Sequence, residues 1–155
     1  MEDCEMSSVI DALYQLKYNP FKYGEYLTSF YSSLENLENN FLLAQLVIPL
    51  CSHPFFANKL RHANNRSSLW SIFDDRTSLY DLQERMDEFK GLTEQSIRYC
   101  LINDWLVIDH ENLTLRYSSD AVTIPAIQKN AVNLGKLISS HSVVETYAFL
   151  GVKPR

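Results

Sequence analysis

Apolar positions along the chain follow two periods, and the changes of period divide it into helices and one hairpin. Val9, Leu13 and Leu16 recur at helical spacing, and Asn19-Pro20 breaks that segment and opens another with Pro near its first position. Gly24, Leu27, Tyr31 and Leu34 then fall four and three residues apart, which draws one stripe along a helix. Residues 35–40 read as a loop. From Asn39 to about Leu50 the chain is apolar nearly all round, the pattern of a central buried helix that Pro49 and then His53-Pro54 kink or end. A polar, basic stretch follows to Arg66, with a turn at Asn64-Asn65, before the apolar pattern resumes over Ser68–Phe73.

The spacing from Thr77 to Tyr117 predicts a winged helix-turn-helix. Ser78 and Asp81 resemble a capping signal, Leu79, Leu82, Met86 and Phe89 mark one helical face, and Lys90-Gly91 supplies a stop. Thr93 is suited to cap a second helix carrying Ile97, Cys100 and Leu101 on one face. After Asn103-Asp104 the period becomes that of a strand at Trp105–Ile108, Asp109-His110-Glu111 makes the reversal, and Asn112–Tyr117 returns as the second strand.

Ser118–Thr123 reads as a linker. Pro125 opens a helix with the stripe Ile127, Ala131, Leu134 and Ile138, in which Gly135 permits close approach of a neighbour. A last helix is capped by Ser142 with Glu145 and stopped by Gly151. The expected fold is mainly α, a helical bundle containing a winged helix-turn-helix with a small β-hairpin. Aromatic-rich helices over residues 1–40 and a helical core over 41–155 form one compact unit.

At 155 residues with 46% hydrophobic positions, the chain can bury one sizeable core. Its net charge of −5 disfavours a general nucleic-acid binder, and the stretch Asp74–Tyr117 carries the whole of it, with ten acidic against five basic residues. The acidic start lacks the basic and apolar regions of a signal peptide, and the Phe41–Cys51 run is too short for a membrane span, so a cytoplasmic location is expected. Cys4, Cys51 and Cys100 are widely spaced, in neither a disulfide framework nor a zinc pattern.

Catalytic signatures are missing from the sequence. The four histidines, His53, His62, His110 and His141, stand singly, and no nucleotide-binding glycine loop or nucleophile elbow occurs. No enzyme activity, cofactor, metal or small-molecule substrate is expected. Nucleic-acid contact, if made, falls to Lys59, Arg61 and Arg66 in the basic stretch, or to Gln95 and Arg98 on the second helix of the winged element. Phe21, Tyr23, Tyr26, Phe30 and Tyr31 are too many for one stripe, so some are expected to face a partner.

The order of these features resembles the middle components of bacterial three-component ABC ATPase systems, a family that includes the LmuC-type subunit of Lamassu anti-phage defence. The resemblance rests on Asn19-Pro20-Phe21, on Phe41–Leu50 leading into His53-Pro54, and on Arg66-Ser67-Ser68-Leu69-Trp70. It continues in Ile97–Leu101 before Trp105–Asp109 and in the closing Phe149-Leu150-Gly151-Val152-Lys153-Pro154-Arg155. It implies a non-enzymatic subunit that joins an SMC-like or Rad50-like ABC ATPase to an effector, often a nuclease, in a complex responding to foreign DNA. The aromatic N-terminal residues and Tyr147, Phe149 and Leu150 are then the expected protein contacts. A winged-helix transcriptional regulator reading DNA through Gln95 and Arg98 is the alternative.

Overall fold

In the computed structural model, which describes residues 9–10, 19–35 and 38–155, helix α1 runs from Pro20 to Ser33. The Asn19 side chain accepts the Phe21 N–H at 2.9 Å, and Pro20 occupies the first turn, where no N–H is needed. The predicted stripe is buried from Gly24 to Tyr31, but so are Tyr23, Thr28, Ser29 and Phe30. Neighbours therefore wrap α1 on more than one side. The Leu13–Leu16 part of the first apolar repeat and Cys4 lie outside the described residues.

A 3-10 turn at Asn40–Leu43 leads into α2, Ala44–Cys51, whose side chains are almost all buried. Pro49 sits inside α2 and does not end it. Instead the Arg85 guanidinium donates to the Pro49 carbonyl at 3.0 Å and to Ser52 Oγ at 3.1 Å, a cation at the carbonyl end of the helix. His53-Pro54 then starts α3, Pro54–Arg61, with His53 Nδ1 accepting the Phe55 N–H at 3.2 Å. Among the described residues no single helix is long and apolar enough to cross a membrane.

Helix α4, Leu69–Ile72, is a single turn closed by a reciprocal Ser68–Ser71 capping box. After a 3-10 turn at Arg76–Leu79 come α5, Leu82–Glu88, and α6, Lys90–Ile102. The chain order of helix, helix and hairpin is as expected, but the junction differs. Only Phe89 separates the two helices, and the Thr93 N–H bonds to the Phe89 carbonyl at 2.8 Å, so Thr93 is a buried residue inside α6 rather than its cap. Gly91 lies in the first turn of α6 and stops nothing.

Helix α6 ends in a Schellman pattern. Asp104 takes a left-handed conformation, φ 57°, and the Trp105 N–H returns to the Cys100 carbonyl at 2.9 Å. Strands β1, Leu106–Asp109, and β2, Thr114–Tyr117, pair antiparallel with Ile108 opposite Leu115. The Asp109 carboxylate holds the reversal, accepting from the backbone of Glu111 and Asn112 and from the Asn112 side chain. Buried Asn40 pins the hairpin to the core. Its side chain donates to the Leu115 carbonyl at 3.0 Å and accepts the Leu115 N–H at 2.7 Å, as a neighbouring strand would.

Residues 118–128 follow without helix. Helix α7 is Lys129–Ile138, so Pro125 does not open it and Ile127 is exposed, off the buried stripe of Ala131, Leu134 and Ile138. The physical reason is tertiary: the Gln128 N–H donates to Ser29 Oγ on α1 at 2.9 Å, and its side-chain amide donates to Glu25 at 3.1 Å. Gly135 lets α7 lie close against α1, because a Cβ there would stand 2.5 Å from the Phe30 carbonyl. Helix α8, Val143–Leu150, has the predicted Ser142 cap and ends at Gly151, φ 72°. Beyond it, Gln83 and Gln45 each exchange two hydrogen bonds with backbone, of Lys153 and Arg155 respectively. One apolar cluster joins Leu27 and Phe30 of α1 to Leu46, Leu134 and Leu150.

Candidate protein-docking surfaces

The aromatic residues expected to face a partner mostly turn inward. Phe30 is fully buried, and Tyr23 and Tyr31 are nearly so. The Tyr31 hydroxyl donates to the Asn40 carbonyl at 2.8 Å, and burial holds its phenol well above the ordinary pKa. Tyr26 packs against the core while partly exposed. Phe21 alone of the five is open to solvent, its ring edge-on to Tyr99 at 4.7 Å. The surplus of rings on α1 is thus accommodated by burial on several sides of the helix.

At the other end, Tyr147, Phe149 and Leu150 are also buried. The Tyr147 hydroxyl donates to the Leu42 carbonyl, and burial raises its pKa. Phe149 lies beneath two exposed neighbours, with Trp70 at 4.0 Å between ring centroids and the Arg76 guanidinium 4.5 Å from its ring. These three side chains hold the core in this structure, and Trp70 is the exposed ring above them.

The basic residues divide. Lys59 pairs with Asp74 at 3.0 Å and lies over the Phe55 ring, whereas Arg61 and Arg66 are exposed. Gln95 and Arg98 are exposed on the outer face of α6 beside Glu94, as their spacing predicted. Among the described residues no three His, Cys, Asp or Glu side chains gather to hold a metal ion. Cys51 and Cys100 are buried free thiols. Burial pushes both upward in pKa, Cys100 to about 11 even with a hydrogen bond to the Thr28 side chain opposing the shift.

The surface that periodicity did not reveal is the extended segment 118–128. Val122 is fully exposed, Ile124 is 89% exposed and Ile127 is 81% exposed. The segment is nonetheless fastened at points along its length: the Trp105 indole N–H donates to the Thr123 carbonyl at 2.8 Å, and Gln128 is tied to α1. Trp105 contacts Tyr99, which contacts Phe21, so the segment borders an aromatic row. Ile102, also exposed, lies one turn beyond Tyr99 on α6. A large apolar side chain in full solvent contact is an unspent hydrophobic contribution, which makes the segment a candidate docking surface. Apolar residues with no period, after Ser118-Ser119-Asp120 and around Pro125, were the available signal.

The family model described as ABC-three component (ABC-3C) system Middle Component 3 matches residues 7–154. The chain belongs to this family. No curated protein and no solved structure matches it. As a Middle Component 3 chain it acts within a multi-component system, and its match runs through every helix and strand described above, from α1 to α8.

Proposed function

We propose that this Middle Component 3 chain is a non-catalytic bridging subunit that links an SMC-like or Rad50-like ABC ATPase to an effector, such as a nuclease, in a cytoplasmic anti-phage complex of the Lamassu type. The observation that carries the reading is the anchored segment 118–128, which presents Val122, Ile124 and Ile127 to solvent although the core beside it is densely packed. Family membership supports the rest, since a middle component works with other components. The region Thr77–Tyr117 serves here as a winged-helix variant used for protein contact. Its excess of acidic residues opposes a phosphate backbone, so DNA meets the assembled complex rather than this element alone.

Co-expression with the other two components, followed by purification through a tag on this chain, tests the proposal. A complex holding an ATPase and an effector in fixed ratio is the expected result. A solitary chain or homodimer that retains one specific DNA fragment at physiological salt, and loses it on Gln95→Ala or Arg98→Ala, would establish the regulator instead.

A further inference from the structure

A second surface, built from different elements, lies between α7 and residues 63–70. It is a groove of about 650 Å³. Lys129, Asn133 and Lys136 follow one another at helical spacing along its α7 wall, and no Asp or Glu is among the residues that line it. Among the described residues neither Lys129 nor Lys136 has an ion-pair partner, in contrast to Lys59. The chain as a whole carries −5, so this unpaired positive strip runs against the general charge.

The opposite wall is rigid. Asn64 accepts the Arg66 N–H at 2.8 Å through its side chain, Ser67 Oγ accepts the Asn64 N–H at 2.9 Å, and the Ser68–Ser71 box fixes α4. At the end of the groove that holds His141, Trp70 stands 57% exposed, its ring held edge-on against Phe149 and near His141 at 6.3 Å. Beyond Trp70 the groove continues into a more apolar cleft lined by Ala148 and Phe149, with Arg76 and Glu145 at its edge and Glu145 3.5 Å from His141. Cations at one end and a fixed, exposed tryptophan at the other form a surface graded from charged to apolar, and tryptophan is a residue type that anchors protein interfaces.

We infer that this groove docks an acidic amphipathic helix from another component of the system, its carboxylates on Lys129 and Lys136 and an apolar side chain on Trp70. The two lysines lie about 10.5 Å apart along the helix axis, which is the separation of side chains seven residues apart on a partner helix. Two free cations beside an apolar cleft suit such a segment better than a polyanion, whose binding grows with the number of phosphates neutralised. The inference rests on the bridging reading for the source of the helix and adds the chemistry of the contact.

The test uses the full chain co-expressed with the other two components, with a photo-reactive amino acid placed at Ser140 on the groove rim. Cross-links from residue 140 are expected in an acidic helical segment of one component. Lys129→Glu with Lys136→Glu is expected to weaken assembly by about tenfold or more at unchanged melting temperature, while Lys129→Arg with Lys136→Arg assembles normally. Undiminished assembly of the double Glu variant, or cross-links from residue 140 to nucleic acid alone, overturns the groove and leaves the bridging role standing. Failure of the unmodified chain to form any complex overturns the bridging role and the groove with it.

Discussion

Where α1 crosses α7, Gly135 has no room for a methyl group and Ser33 Oγ donates to the Val132 carbonyl at 2.8 Å. A few residues earlier in the same chain, Val122, Ile124 and Ile127 stand in solvent on a backbone fastened to Trp105 and Ser29. The two regions are adjacent in sequence and share α1 as a support, yet one is packed to contact and the other leaves its apolar groups unused. The difference separates side chains that hold the fold from side chains left open to solvent. Of the aromatic residues conspicuous on α1, Tyr23, Phe30 and Tyr31 belong to the first category while Phe21 is exposed, and the second consists mainly of inconspicuous aliphatic residues in a connecting segment.

The sharpest way to break this division is to attack the packed side. Phe30→Ala removes a fully buried ring at the centre of the cluster and is expected to cost about 3–5 kcal/mol in chemical denaturation. A loss below about 1 kcal/mol would mean that α1 is not integral to the core. Gly135→Ala tests the crossing itself. Overpacking against the Phe30 carbonyl is expected to cost about 1–3 kcal/mol, despite the better helix propensity of alanine.

Much of the packed side was legible in the sequence, because its signals are local. Pro20 stands in the first turn of its helix and Ser142 caps its own, Gly151 takes the left-handed stop, α2 is buried as its uniform apolarity implied, and the hairpin reverses after Asp109, although its second strand starts at Thr114 rather than Asn112. The errors came where a distant group decides the outcome. Thr93 has the chemistry of a cap, but the helix already starts at Lys90 and buries it. Ile127 fits the period of α7, but the hydroxyl of Ser29 takes the Gln128 N–H, so the helix begins after it. Tyr23 and Phe30 looked surplus to one stripe because burial of α1 on several sides is invisible until its neighbours are placed. The backbone clasps of Gln45 and Gln83 on the final residues carry no sequence signature at all.

A smaller effect sharpens the boundary between the regions by pH. His53 Nδ1 can accept the Phe55 N–H only when unprotonated, and burial, reinforced by the Arg85 cation, holds its pKa below the ordinary value. A depressed folded pKa gives a contribution that is complete above the unfolded value near 6.5 and lost as pH falls through the folded one. Thermal stability is therefore expected to decline on acidification below about 6.5, and His53→Asn, which caps without titrating, is expected to flatten that decline. An identical slope in the two proteins would remove His53 from the account.

The smallest expected effect on stability lies on the open side. Ile124→Ser should change unfolding free energy by no more than about 0.5 kcal/mol, since the side chain is 89% exposed. The same substitution should weaken assembly with the other components. Marked destabilisation would show that the segment is part of the core after all.

Amide hydrogen exchange, compared between the free chain and the chain in complex with the other components, tests the central claim most directly. Slowed exchange over residues 119–127 in the complex, with the core amides of α2 and α7 unchanged, is the result predicted for a segment that is anchored in advance and covered on docking. Equal exchange of residues 119–127 in the free and complexed chain would contradict it.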